Sequence, residues 1–217
     1  MSSSDAAPAP RRGGRPSREE APQLTERVIE AATVLFLRDG YGATSLEAVA
    51  AAAGVSKRTL YARFSGKAAL LQVSVARLVA RWLPPFDAGI GQAEGLEAAL
   101  LAAARVMLAT ALAPEALALH RLVIGEIARF PELAEVMRDA GAHVGVARLA
   151  ETMARGGIAD PQWAAEQFMA LVLSVPQRRA MGLGPPLDAA AQADWAARCV
   201  ALFLRGAACS RGWCDEA

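Results

Sequence analysis

The chain has 217 residues, 54% hydrophobic and 6% aromatic, with 23 Lys+Arg against 22 Asp+Glu for a formal net charge of +1. So much apolar content excludes a chain that is disordered throughout, and no uninterrupted apolar run reaches the roughly 20 residues of a membrane-spanning helix. The near-zero charge hides a split: residues 1–81 hold 12 Lys+Arg and 7 Asp+Glu, net +5, and residues 82–217 hold 11 and 15, net −4, so affinity for a polyanion is expected from the N-terminal part.

Residues 1–22 contain no large apolar residue after the initiating Met and cannot offset their own ordering entropy. They read as a disordered basic arm carrying Arg11, Arg12, Arg15 and Arg18. Such an arm can enter a neighbouring minor groove or lie along phosphates, and it reads equally as a solvated tail. No apolar core segment follows the arginines, so a secretory signal is not expected. From Leu24 to Asp39 the pattern predicts an amphipathic helix with Val28, Ile29, Ala32, Leu35 and Phe36 on one stripe. Thr25 is its candidate cap, with Leu24 and Ile29 placed for a hydrophobic staple, and Gly40 ends it.

Leu46 to Phe64, LEAVAAAAGVSKRTLYARF, predicts a helix, a tight turn and a second helix. Thr44-Ser45-Leu46-Glu47 has the capping-box spacing, with Thr44 as the cap. Gly54 stops the first helix, because glycine takes a left-handed terminal conformation at little cost. Ser56 caps the second helix. Val55, Leu60 and Phe64 are its apolar anchors, which leaves Lys57, Arg58, Thr59, Tyr61 and Arg63 to face outward. A polar, basic second helix after such a turn is the layout of a helix-turn-helix reader of the DNA major groove.

Ala31-Ala32 through Phe36, the link Gly40-Tyr41-Gly42-Ala43-Thr44-Ser45, Val49-Ala50, Gly54-Val55-Ser56, Thr59-Leu60-Tyr61, Phe64 and Lys67 together resemble the DNA-binding domain of the TetR family of bacterial transcriptional regulators. The resemblance covers roughly residues 24–72. Two positions depart from it: Ala62 stands where many members carry a second aromatic residue, and Ala68 where an acidic residue usually follows the lysine. The resemblance implies that Thr44 touches phosphate, that Lys57, Arg58 and Thr59 face base edges, that Tyr61 meets phosphate or a thymine methyl, and that Lys67 anchors the opposite phosphate strand. Arg58 has the geometry for a bidentate pair with guanine, worth about 1–3 kcal/mol of discrimination. Lys57 and Lys67 read as point charges on phosphate. The DNA-binding set is therefore Thr44, Ser56, Lys57, Arg58, Thr59, Tyr61, Arg63 and Lys67.

The remaining two-thirds is helical by pattern. A helix from about Lys67 to Leu83 is stopped by Pro84-Pro85. Others follow from Glu94 to Leu112, from Pro114 to about Arg129, and from Pro131, this last weakened or broken by Gly141 and Gly145. Asp160-Pro161 is a cap and first-turn proline that starts a helix to about Met181. Asp188 caps a last helix to about Ala207. These two helices are apolar on more than one side, which suits a core contact plus a subunit contact. In the family the last two long helices form a four-helix dimer interface, so the resemblance implies a homodimer on a pseudo-palindromic operator in double-stranded DNA.

His120 through Glu126, with Arg129-Phe130-Pro131-Glu132-Leu133, resembles the C-terminal domain of AefR-like members. That implies an effector region. Its candidate lining is Trp82, Phe86, Met107, Arg121, Ile124, Phe130, Met137, Trp163 and Phe168, each of which also reads as core packing; Arg121 and Glu126 also read as surface charges. An apolar lining with few polar groups suits a small hydrophobic molecule.

His120 and His143 are too few and too isolated for a metal site or catalytic centre. Cys199, Cys209 and Cys214 lack metal-ligand spacing and fit a reducing cytoplasm. No glycine loop of a nucleotide-binding type is present in a suitable context. No cofactor, metal, membrane contact or enzymatic activity is expected.

The expected organisation is all-α: a basic arm (1–22), a three-helix helix-turn-helix domain (23–68), a ligand-binding and dimerisation bundle (69–208) and a frayed tail (209–217). The expected function is a cytoplasmic, ligand-responsive transcriptional regulator, most simply a repressor released by a small hydrophobic effector. The alternative is a helical small-molecule binding protein with weak or no DNA reading.

Overall fold

A computed structural model describes residues 20–138 and 143–209, the side chains of 20–21, 82–86 and 207–209 excepted. The arginines of the arm and Cys214 lie outside the described residues. Among the described residues ten α-helices follow in order: α1 Glu20–Asp39, α2 Leu46–Ala53, α3 Lys57–Tyr61, α4 Lys67–Gly91, α5 Leu96–Ala111, α6 Pro114–Glu126, α7 Glu132–Met137, α8 His143–Arg155, α9 Pro161–Arg178 and α10 Ala189–Cys209, with a π-helical turn at Arg179–Leu183. No strand occurs among the described residues.

Most elements fall where residue chemistry puts them, and three differ. Helix α1 begins at Glu20, within the expected arm. Pro22 is tolerated there because the first-turn N–H groups have no helical partner to lose. Thr25 is consequently inside the helix rather than at its start. Helix α2 is capped by Ser45, whose Oγ accepts the Ala48 N–H at 3.1 Å. Thr44 is buried instead and donates its hydroxyl to Gly40 O at 2.7 Å. Helix α4 does not stop at Pro84-Pro85 but continues to Gly91. Each proline forfeits its own i→i−4 bond, yet the helix is 25 residues long and packs along α1, α5 and α7, so the flanking turns retain their support.

Two buried clusters divide the molecule. The first joins Val28, Ala32 and Phe36 of α1, Val49 and Leu60 of α2–α3, and Leu70 and Val75 of α4 to Leu119 and Leu122 of α6 and to Leu133 and Val136 of α7. It therefore extends beyond residue 68: α6 and α7 close the core of the helix-turn-helix unit from outside. The second joins α5, α8, α9 and α10 through Leu100, Ala103, Leu149, Met153, Phe168, Val172 and Val200. No single described helix is long and apolar enough to cross a membrane, and α5 and α6 reach that composition only as a pair bent by 72°.

Candidate nucleic-acid interface

The turn between α2 and α3 is set by Gly54, at φ 64° and ψ 38°, whose N–H bonds Ala51 O at 3.1 Å. Val55 follows half-buried, and its N–H reaches Ala50 O at 2.9 Å. Arg27 of α1 donates to the Ala53 carbonyl at 2.6 Å. A lost helix-end acceptor is thereby satisfied and the turn is fixed to α1. Ser56 caps α3, its Oγ accepting the Thr59 N–H at 3.1 Å. The Ser56 and Thr59 hydroxyls also lie 2.8 Å apart. Leu60 is fully buried and Phe64 nearly so, and they hold α3 against the first cluster.

This anchoring decides which side chains are left outside. Lys57, Arg58, Tyr61 and Arg63 are exposed, and the Tyr61 ring is 52% accessible. The Arg58 side chain has no hydrogen bond or ion pair among the described residues, so its planar fork is available. Lys57 is paired with Glu47 of α2 at 3.3 Å. The residue's own backbone N–H first, and Lys57 after it, hold the Glu47 carboxyl below its ordinary range. Arg63 donates to Thr25 Oγ1 at 2.6 Å, which ties the residue just past α3 to α1.

Two expected phosphate contacts point elsewhere. Thr44 is 3% exposed and its hydroxyl is spent on Gly40. Lys67 is half-buried and donates from Nζ to Tyr41 O at 2.7 Å and Gly42 O at 3.3 Å, with the Tyr41 ring centroid 4.5 Å away. Both side chains hold the loop between α1 and α2. Tyr41 in that loop stacks on Phe36 at 5.9 Å and meets Phe130 edge-on at 5.0 Å. Its phenol donates to Glu132 Oε1 at 3.2 Å. Burial first, and Glu132 and Glu126 after it, push the Tyr41 phenol up to about 12.

Glu126, which the sequence offers as a surface charge, instead holds this loop. At the last position of α6, its Oε1 accepts the Tyr41 N–H at 2.7 Å and its Oε2 the Gly42 N–H at 2.5 Å. Gly40 and Gly42 leave room for it: a Cβ on either would meet a Glu126 oxygen, at 2.5 Å and 2.9 Å. Partners 84 and 85 residues apart give no local signal.

Among the described residues, the expected effector lining is divided between the two clusters and the surface. Met107 and Phe168 are buried in the second cluster, while Phe130 and Met137 flank the first. Leu119 and Leu122 turn α6 toward the first cluster, which leaves Arg121 and Ile124 outside, Ile124 at 65% exposure. Arg121 reaches Ala180 O at 3.5 Å. Trp163 is 59% exposed. The side chains of Trp82 and Phe86 lie outside the described residues. Two adjoining open clefts, of about 300 and 280 Å³, lie where the end of α4 and the start of α5 face α8. Asp87, Arg148, Glu151 and Arg155 line the smaller, whereas Ile90, Leu96 and Ala99 with Thr152 and Arg155 line the larger. Among the described residues no group of three His, Cys, Asp or Glu side chains is arranged to hold a metal.

A glycine turn, a capped second helix and an exposed basic–aromatic face on an all-helical body define a helix-turn-helix DNA-binding protein. Comparison with known proteins narrows this. Residues 28–73 match the family model for bacterial regulatory proteins of the tetR family, and residues 98–206 match that for the AefR-like transcriptional repressor, C-terminal domain. The flavonoid-responsive regulator FrrA is 32% identical, with 85% of this chain and 97% of that one covered at a TM-score of 0.68. A putative TetR-family regulator from Mesorhizobium loti is 28% identical, covering 88% and 98% at a TM-score of 0.73. The HTH-type transcriptional repressor DrrR1 of Streptomyces coeruleorubidus is 40% identical over 98 residues; the match spans 45% of this chain and 35% of that relative. The chain belongs to the TetR family and is a transcriptional regulator with an AefR-like C-terminal domain.

Proposed function

We propose that the protein is a homodimeric repressor that reads a pseudo-palindromic operator and releases it when a small hydrophobic molecule binds. The exposed α3 face carries this reading: the unpartnered Arg58 reads a base, Tyr61 and Lys57 meet backbone or groove, and Ser56 and Thr59 shape the helix start. Residues 23–68 are the reading domain and 69–208 the ligand and dimer domain. Thr44 and Lys67 act from behind this face by holding the α1–α2 loop. The helices α9 and α10 leave Trp163 and Leu202 at 59% and 61% exposure, and a second copy covers them. One relative is a repressor and another is flavonoid-responsive, which supports repression and a planar, apolar effector.

Two states suffice. In one, the two recognition helices lie about one DNA turn (~34 Å) apart. In the other, effector binding has moved α4 and changed that spacing. The effector must prefer the second state, since equal affinity for both shifts nothing. The test is selection from random DNA, followed by anisotropy titrations across a salt series. Wild type is expected to favour the selected site, and R58A to lose about 1–3 kcal/mol of discrimination at one base pair. Equal binding of both proteins to selected and scrambled DNA would defeat the reading in favour of a small-molecule binder.

A further inference from the structure

We propose that the Glu126 carboxylate is the joint that fixes the helix-turn-helix unit to α6, so that a change in α6–α7 reaches the recognition helix through the α1–α2 loop as well as through α4. This rests on the DNA-reading function proposed above. A carboxylate at the C-terminal end of a helix sits against the negative end of the dipole. Glu126 is held there because two consecutive backbone N–H groups, of Tyr41 and Gly42, each take one of its oxygens. Successive amides in a turn form an anion-binding concavity, and this one is filled from α6. The loop is built around that occupant. Gly40 takes φ +89°, and a side chain at 40 or 42 would collide with the carboxylate.

The remaining contacts make the joint two-sided. Lys67 takes the carbonyls of the same two residues whose amides Glu126 takes, so Tyr41 and Gly42 are gripped from α4 and α6 together. Phe130 packs on the Tyr41 ring, and Glu132 takes its hydroxyl. The loop passes directly into Thr44 and the Ser45 cap of α2, and α2 carries α3 across the Gly54 turn. Glu126 is thus a positioning residue: it acts on the reading face through the backbone that starts α2.

The experiment uses the full chain and the DNA site selected from random sequence. Wild type is compared with E126Q, E126A, G42A and the E126A/G42A double variant. Amide exchange is followed without DNA, and affinity is measured for selected and scrambled DNA. The glutamine offers one acceptor oxygen where the carboxylate offers two, so one amide loses its partner. Exchange is expected to quicken at Tyr41 and Gly42 and to spread into α2 and α3. Affinity for the selected site should fall at least about fivefold, in the range of typical coupling effects, with scrambled-DNA affinity retained. Because G42A breaks the same contact, its loss and that of E126A should not add. Should E126A not fold, E126Q carries the same comparisons. Exchange confined to Tyr41 and Gly42, unchanged affinity for the selected site, or fully additive losses would overturn the joint. If wild type selects no sequence, the DNA reading fails by itself, and the spread of exchange into α2 and α3 still decides the joint.

Discussion

The two buried clusters are held by different means. Around the first, long-range polar ties do much of the holding: Arg27 on the Ala53 carbonyl, Arg63 on Thr25, Lys67 and Glu126 on the α1–α2 loop. The second relies on small residues at close crossings, with Ala103, Ala104, Ala164, Ala165 and Ala196 all buried, and has few cross-helix polar ties, such as Trp195 Nε1–H to Val172 O at 2.9 Å. Helix length explains the contrast. At 8 and 5 residues α2 and α3 cannot persist on propensity, so caps and side-chain ties must fix each end. Helices of 13 to 21 residues in the second cluster present whole faces to one another, and dispersion over those faces suffices.

Substitutions can break or sharpen that contrast. The largest effect is expected at Phe168, fully buried and edge-on to Phe203 at 5.0 Å. F168A should cost about 3–5 kcal/mol by urea denaturation. A cost near 1 kcal/mol would mean the second cluster is not held by packing. Next, A103L forces bulk between closely crossed helices and should cost about 1–3 kcal/mol in the same assay; a stabilised variant would reveal slack there. S45A removes the α2 cap and should cost about 1 kcal/mol in thermal melts. If removing Asp188, which caps α10 at 2.8 Å, costs more, the first region is not the more cap-dependent one.

The smallest effect is a pH dependence. The Tyr41 phenol titrates at about 12 in the folded protein against an ordinary value of 10. The folded state therefore holds that proton more tightly than the unfolded state. The resulting stability is present below about pH 10 and is lost as pH rises toward 12. Ultraviolet titration of the two tyrosines should show one late transition that Y41F removes. A single transition at ordinary pH in wild type would place Tyr41 in water rather than under Phe130.

Local chemistry made much of this legible. Ser56, Gly54, Asp160 and Asp188 each announce a helix end by residue type alone, and the structure uses each at that end. The stripe Val28–Ala32–Phe36 announces its buried face in the same way. Adjacent candidates are harder: Thr44 and Ser45 both suit a cap, and the choice between them falls to burial, which the neighbouring sequence does not encode. The prolines at 84–85 misled because their cost is local while the support for α4 is tertiary. The outward residues of α3 were readable because Leu60 and Phe64 fix its rotation. The inward turns of Thr44 and Lys67 were not, since each is bonded to a loop that Glu126, far along the chain, also holds. The described effector candidates divide between the clusters for a related reason: an apolar residue says that it wants burial, not in which cluster.

Gly40 and Gly42 carry one further consequence, for protein engineering. A chimera that grafts residues 20–66 of this chain onto a foreign helical body would leave two amides pointing at whatever replaces α6. Without a carboxylate at that position the graft would present an empty anion seat, and buffer anions would compete to fill it. Successful transplants should therefore be those whose recipient supplies an acidic residue at the end of its sixth helix, a criterion that can be checked before any gene is built.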